Sequence, residues 1–328
     1  MAIPAALALA AVLLAGCGSG TGSGEPVRIT IPYGAAFDQV ADTLAHRDII
    51  GSDFLFGLYA RARRATASVQ PGTYAFRRGT AWTRILRDLS EGNTMTRRLV
   101  IPEGWDLTRI APRLAELTGR REDTVLAVML DSAAAVRLGV PGPTLEGYLY
   151  PATYNFGPGA PLDTVLQQLV ASYRRVWTAA RLAKADSMGL SEREVVTLAS
   201  IVEKEAKVAA EMPTIAAVYH NRLRIGMALQ ADPTVQYALG QHQQRLLYSQ
   251  IDSVADNPYN TYRHPGLPPG PIASPSERAI DAVLQPAAAK YLYFVARPDG
   301  SHVFTSSLEE HNRAKAAARR AGRAAPKR

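Results

Sequence analysis

The sequence predicts an α+β protein, and three observations carry that prediction. Gly34, Gly79 and Gly104 are each followed by a large apolar residue at +3 and apolar residues at +6, +7 and +10. Those offsets put four side chains on one face of a short helix that follows a turn. A long helical stretch has Val195, Leu198, Ala199, Val202, Ala206 and Ala209 at core-facing spacing. Near the end of the chain, Tyr291–Ala296 and Ser301–Thr305 flank a Pro-Asp-Gly turn at 298–300, which predicts a hairpin.

Taken in order, Ala2–Gly16 is almost wholly apolar and ends in Leu14-Ala15-Gly16-Cys17, followed by GSGTGSG. This is similar to a lipoprotein signal, in which a small-residue pair precedes a cysteine that is acylated after cleavage. No Lys or Arg opens the run, as a signal peptide normally requires. The run is also shorter than the ~20 residues of a membrane span, unless the chain starts upstream and this is the end of a longer helix. Both readings tether an exported body through residues 1–24, with Gly18–Gly24 as a flexible linker. A single cysteine leaves no intramolecular disulfide and no thiolate metal site.

Beyond the linker, Val27–Ile31 and Arg98–Ile101 read as strands, each leading through Pro into Gly. The apolar sets that follow the three glycines are Phe37, Val40, Ala41, Leu44; Trp82, Ile85, Leu86, Leu89; and Leu107, Ile110, Ala111, Leu114. Helices are expected over Arg121–Leu138 and over Pro161–Ala185. The second has Leu166, Leu169, Val170, Tyr173 and Val176 on the face that packs on the helix carrying Glu205. From Asn257 to Pro275 the prolines are too dense for a helix and predict a rigid loop. Rigidity lowers the entropy lost on binding, so this loop suits a substrate-positioning wall, with Asn260, Thr261 and Tyr262 as its polar groups. A helix over Glu277–Leu284, the hairpin and a basic terminal helix complete the chain.

With 47% hydrophobic and 20% charged residues, the composition is that of a globular protein able to bury a core. A net charge of +8 and a pI of about 9.6 suit contact with an acidic polymer. No zinc spacing and no aromatic-basic RNP string points to nucleic acid. None of His46, His220, His242, His264, His302 and His311 stands at a ligand spacing such as HExxH, so neither metal nor cofactor is expected. A Ser-His hydrolase lacks its G-x-S-x-G elbow.

Two carboxylates sit in the central helical stretch. At about 100° per residue, Glu205 lies within the apolar stripe, Glu203 at its margin and Lys204 on the opposite face. Burial raises a carboxyl pKa, as a general acid near neutrality requires. An ordinary Glu paired with a nearby Arg or Lys fits the same spacing. A second cluster, Leu145-Glu146-Gly147-Tyr148-Leu149-Tyr150, reads either as a sugar-stacking wall or as a core edge.

Three strings go further: LASIVEKEA, then VYHNRLRIGMALQADPTVQYALG, then NPYNTYRHPGLPPGPIASPSERAI. Together they resemble the endolytic murein transglycosylase family (MltG, or YceG-like), and the likeness extends from about Val27 to the C-terminal region. In that family the second Glu of [IV]-x-E-x-E is catalytic, which falls on Glu205. The family's string after Tyr150-Pro151 continues with Asp, whereas this chain has Ala152, so no carboxylate acts there and Glu146 remains the candidate. The resemblance implies a membrane anchor (1–24), a LysM-like α/β subdomain (25–120) and a mostly helical catalytic domain ending in a β-hairpin (121–328). Asn221, Arg222, Gln230, Asp232 and Thr234 are assigned to orienting the substrate or holding the catalytic helix, beside Glu146, Asn260 and Tyr262.

The activity implied is endolytic lytic transglycosylation. The MurNAc-GlcNAc β-1,4 bond of nascent glycan strands is cut to 1,6-anhydro-MurNAc ends, which terminates strand elongation. Partners implied are peptidoglycan strands, the membrane and the penicillin-binding synthases. The location implied is the cytoplasmic (inner) membrane, single-pass or lipid-anchored through Cys17, with the catalytic domain on the periplasmic side. Two alternatives stay open: a hydrolytic muramidase using the same site, and a non-catalytic wall-binding scaffold.

Overall fold

A computed structural model describes residues 22–32, 34–66, 69–92, 94–157, 159–241 and 246–324. The apolar run Ala2–Gly16, Cys17, most of the Gly/Ser linker and His242 lie outside them. Among the described residues no helix is long and apolar enough to cross a membrane. The chain divides into two compact units, one running to Arg98 with Asn155–Ala160 added, the other comprising Leu99–Tyr154 and everything from Pro161.

In the first unit β1 (Ser23–Ile31) pairs antiparallel with β2 (Gly72–Arg78), in a register that sets Ile29 opposite Tyr74 and Ile31 opposite Gly72. Three helices accompany the pair: α1 (Phe37–His46), α2 (Asp53–Ala62) and α3 (Trp82–Glu91). The faces predicted for α1 and α3 are the buried ones. Phe37, Val40, Ala41 and Leu44 join Ile85, Leu86 and Leu89 in one core with Ile29, Ile31, Phe56 and Tyr74. Gly34, Gly79 and Gly104 all adopt left-handed φ, +77°, +72° and +71°, the region that an L side chain avoids and glycine enters freely. Strand β2 and helix α2 were not anticipated. Leu55 and Leu58 of α2 are partly exposed, which blurs its period.

The strands β3 (Arg97–Val100) and β4 (Thr153–Phe156), which pair with each other, each cross the division, and the second unit holds α4 (Leu107–Thr118), α5 (Glu122–Leu130), α6 (Ser132–Leu138), α7 (Leu162–Val176) and α8 (Ala179–Ser187). After these come α9 (Glu192–Glu205), α10 (Met212–Arg224), α11 (Asp232–Leu239), α12 (Tyr248–Ser253), α13 (Glu277–Leu284), the antiparallel hairpin β5 (Tyr293–Ala296) and β6 (His302–Thr305), and α14 (Leu308–Ala324). The mixture of helices and small sheets is α+β.

Two helices expected as single rods are each broken. Asp131 turns extended and its carboxylate accepts from Ala133 N (3.0 Å), starting α6 as a new helix. Thr178 does the same for α8, its hydroxyl accepting from Arg181 N at 3.3 Å. In both places a capping side chain competes with continuation of the helix. The predicted face of α7 is buried from Leu166 to Val176. Val176 joins the core cluster of α9, and the Tyr173 hydroxyl donates to Glu192 on that helix.

The central stretch also departs from its reading. Helix α9 stops at Glu205; Ala206 is extended and Ala209 opens a short 3₁₀ turn, so neither continues the stripe. From Val195 to Val202 every residue is buried. Over those residues the helix is therefore enclosed all round, and Lys204 follows in its last turn. It is half-buried, with Nζ donating to Gly104 O at 3.2 Å.

Candidate active site

Helix α9 is fixed at its start by a reciprocal cap. Ser191 Oγ accepts from Glu194 N (3.3 Å) and Glu194 Oε2 accepts from Ser191 N (2.8 Å). Along its length α9 grips the proline-rich loop. Arg193 donates to Pro269 O, Ser200 Oγ accepts from Ile272 N (3.0 Å), and Glu203 Oε2 accepts from Ser276 N (3.0 Å) and Ser276 Oγ (2.5 Å). Ser276 Oγ in turn accepts from Ala279 N (3.2 Å) as the N-cap of α13. Glu203 is thus consumed in anchoring a loop and a helix end.

Glu205 is different. It closes the last turn of α9, partly buried, and its carboxylate Oε1 accepts one bond from the Tyr219 hydroxyl of α10 at 3.0 Å. Burial raises its pKa to about 7, and the negative Asp232 adds to the rise; the Tyr219 hydroxyl and the Arg222 guanidinium pull the other way. Near neutrality the group is divided between acid and carboxylate, so it can deliver a proton and take one back. Tyr219 was not singled out from sequence, because a partner on the next helix, fourteen residues on, falls on no shared period.

The other sequence candidates separate into two groups. Arg222, Asp232 and Tyr262 come together around Glu205: Arg222 and Asp232 through their charges, and Tyr262 by donating to Asp232 Oδ1 at 2.5 Å. Arg222 itself is buried, giving Nε to Leu292 O (2.7 Å) and Nη1 to Leu229 O (2.5 Å). It braces the α10–α11 connection against the hairpin while lending its charge to the site.

Asn221, Thr234 and Asn260 turn their polar atoms inward. Asn221 donates to Ala289 O and Tyr291 O (both 2.9 Å), Thr234 shares a 2.8 Å bond with Thr261, and Asn260 donates to Ile251 O (2.8 Å) and Val254 O (3.0 Å). Gln230 has an exposed side chain and a left-handed φ of +49°, and its N–H donates to Thr261 O at 3.1 Å. These residues shape the frame in which α11 presents Asp232. Asp232 is the first residue of α11 and not its cap, which is Ala231.

Glu146 stands apart from this cluster, 3% exposed in the turn before β4. Its Oε2 accepts from Leu107 N (3.2 Å) and from the Tyr237 hydroxyl (3.3 Å). Next to it, Gly147 has φ +82°, and a side chain there would meet Pro271 Cβ at 2.4 Å. Of the neighbouring tyrosines, Tyr148 is core, fully buried and packed edge-on against Tyr173 with centroids 5.2 Å apart, while Tyr150 is partly exposed. Among the described residues no group of His, Cys, Asp and Glu is placed to hold a metal ion.

The family model of the YceG-like family matches residues 29–317. An endolytic murein transglycosylase of Bacillus subtilis is 35% identical over 308 residues, covering 88% of this chain and 84% of that protein. One from Streptococcus pneumoniae is 28% identical over 317 residues, and the match covers 88% of this chain but 57% of the longer relative. The crystal structure of a YceG-like protein from Listeria monocytogenes superposes with a TM-score of 0.61 at 32% identity, over 89% of this chain and 99% of the other. By sequence along nearly its whole length, and by a fold shared with a solved relative, this chain belongs to the YceG-like family.

Proposed function

We propose that this chain is an endolytic lytic transglycosylase of peptidoglycan in which Glu205 serves as both acid and base. The observation that carries this reading is a partly buried carboxyl closing the last turn of α9, with a tyrosine hydroxyl holding one oxygen. Glycosidases commonly need a pair of carboxylates. Glu203, the nearest by sequence, is spent on Ser276, and Asp232 accepts from the Tyr262 hydroxyl, so the proton transfers fall to Glu205.

In the first step Glu205 gives its proton to the O4 that leaves C1 of N-acetylmuramic acid. The C1–O bond breaks, and the sugar's own acetamide stabilises the electron-poor C1. The new Glu205 carboxylate is held by the Tyr219 hydroxyl near the charge of Arg222. In the second step it takes the proton of the same sugar's 6-hydroxyl as O6 bonds to C1, giving a 1,6-anhydro end with no water consumed. Because the nucleophile is intramolecular, its effective concentration far exceeds that of a competing solvent molecule.

The test is mass spectrometry of the products from purified glycan strands. A 1,6-anhydro end, lighter by one water than a reducing end, is expected, and its yield from Glu205→Gln should fall by a factor of about 10²–10⁴. Reducing ends would identify a hydrolase, and strand binding without cleavage by the unaltered protein a scaffold. The same reading has the body held at the outer face of the cytoplasmic membrane through Cys17 or a longer N-terminal helix, beside the synthases whose strands it cuts. Residues 25–120 act as a LysM-like module. Mass measurement of the native N-terminus separates lipid from helix.

A further inference from the structure

The first unit keeps one apolar face that its own core does not use. On α2, Phe54 is 73% exposed, Leu58 41% and Leu55 37%, and Ala62 is exposed one turn further on. Among the described residues, Phe54, Leu55 and Leu58 are all the exposed large apolar side chains of this unit. Their spacing, with Ala62, sets them on one strip of the helix, opposite the buried Phe56, Tyr59 and Ala60. A helix on the surface of a globular protein normally turns a polar face outward, and a grouped apolar patch marks a contact where a scattered one does not. Exposed Arg61, Arg63 and Arg64 close the strip at its C-terminal end. The chain enters the unit beside it. Gly22 lies against the turn between β2 and α3, where a side chain on it would meet Arg77 Cβ at 2.6 Å and Thr80 Oγ1 at 2.9 Å. Gly79 of that turn donates its N–H to Ile49 O at 3.2 Å. Three residues after Ile49, Ser52 Oγ accepts from Leu55 N at 3.3 Å as the cap of α2. The entry point and the Phe54 end of α2 therefore share one end of the unit. The apolar run closes at Gly16, six residues before Gly22, a span of about 20 Å at full extension.

We propose that the outward face of α2 is a second membrane contact, separate from the anchor. Phe54, Leu55 and Leu58 enter the headgroup boundary of a bilayer containing anionic phospholipid, and Arg63 and Arg64 meet its phosphates. The assignment rests on the anchoring proposed above: with the apolar run or a Cys17 lipid in the bilayer, the strip stands one short tether from the lipid surface. Docking is then intramolecular, and a patch too small to bind alone is held by its high effective concentration. An apolar helix face with arginines beside it has the composition of a helix lying in the interface of an anionic membrane. Of those arginines, Arg61 is paired with Asp38 at 3.0 Å, while the Arg63 guanidinium lies over the Tyr59 ring at 5.2 Å, its charge facing no carboxylate there. A second copy of the chain fits the strip less well, because three partly exposed side chains fall far short of the ~800 Å² per partner that a stable protein interface buries.

The test is fluorescence of the full chain carrying Phe54→Trp in vesicles of phosphatidylglycerol and phosphatidylcholine, with the unaltered chain subtracted to remove its three tryptophans. Emission of the added tryptophan should shift to the blue when vesicles are present and should be quenched when their acyl chains are brominated. Adding Leu58→Asp should abolish both effects, and vesicles of phosphatidylcholine alone should quench less. Absence of quenching, or quenching that Leu58→Asp leaves intact, overturns the proposal. Equal quenching in phosphatidylcholine alone does so too, since the arginines would then meet no lipid charge. A blue shift without quenching is what a second copy, or the chain's own apolar run, would give by covering the face, and it also overturns the contact. Flotation with the same vesicles reports the anchor separately. An unaltered chain that fails to float overturns the anchoring, and titration of the Phe54→Trp chain with brominated vesicles still decides whether α2 meets lipid.

Discussion

Replacing Glu205 by Gln should move stability and activity in opposite directions. Folding lifts the carboxyl from its ordinary 4.5 to about 7, and each tenfold change in proton affinity is worth ~1.4 kcal/mol. The folded chain holds this proton more tightly than the unfolded chain. The resulting stabilisation is fully present below pH 4.5 and is lost as pH rises through 7. At pH 9 the ionised, partly buried carboxylate should cost about 3 kcal/mol at most, less in proportion to the solvent that reaches it. Glutamine never ionises. Urea unfolding at pH 5 and pH 9 should therefore show the variant close to the unaltered protein at the lower pH and more stable at the higher, while Glu146 titrates in both and cancels. Turnover of glycan strands should fall by a factor of about 10²–10⁴, the usual contribution of a general acid-base group. A variant whose unfolding midpoint tracks the parent at both pH values, or whose turnover is intact, refutes the argument.

Tyr219→Phe removes the hydroxyl that favours the Glu205 carboxylate. The alkaline limb of its rate profile should shift to higher pH and the rate fall about tenfold, the worth of one hydrogen bond to a charged group. Glu203→Ala strips two hydrogen bonds from the start of α13, so its unfolding free energy should drop by roughly 2–3 kcal/mol while its pH-rate profile keeps its shape. Gly147→Ala sets a methyl 2.4 Å from Pro271 Cβ at φ +82° and should lower the unfolding free energy by roughly 2–4 kcal/mol.

Much of the fold is local and was legible for that reason. The faces of α1, α3, α4 and α7, the turns at Gly34, Gly79 and Gly104, and the terminal hairpin each depend on residues within a dozen positions of one another. The helix breaks at Asp131 and Thr178 were equally local, but a capping side chain in mid-run reads as an ordinary surface residue until its own bond is seen. Glu205 was legible as an acid on a helix, and the family strings pointed to it.

The sequence by itself determined the buried faces of α1, α3, α4 and α7 and the glycine turns that precede the first three of them. Only the tertiary structure decided that α9 ends at Glu205, that Tyr219 holds it, and that Glu203 anchors Ser276. It alone also placed the Glu146 carboxylate on Leu107 N and the Tyr237 hydroxyl. The reason is that proton affinity is set by what surrounds a carboxyl. Those surroundings come from segments tens of residues away, such as Leu107 and Tyr237 for Glu146, and no periodicity along one helix encodes them.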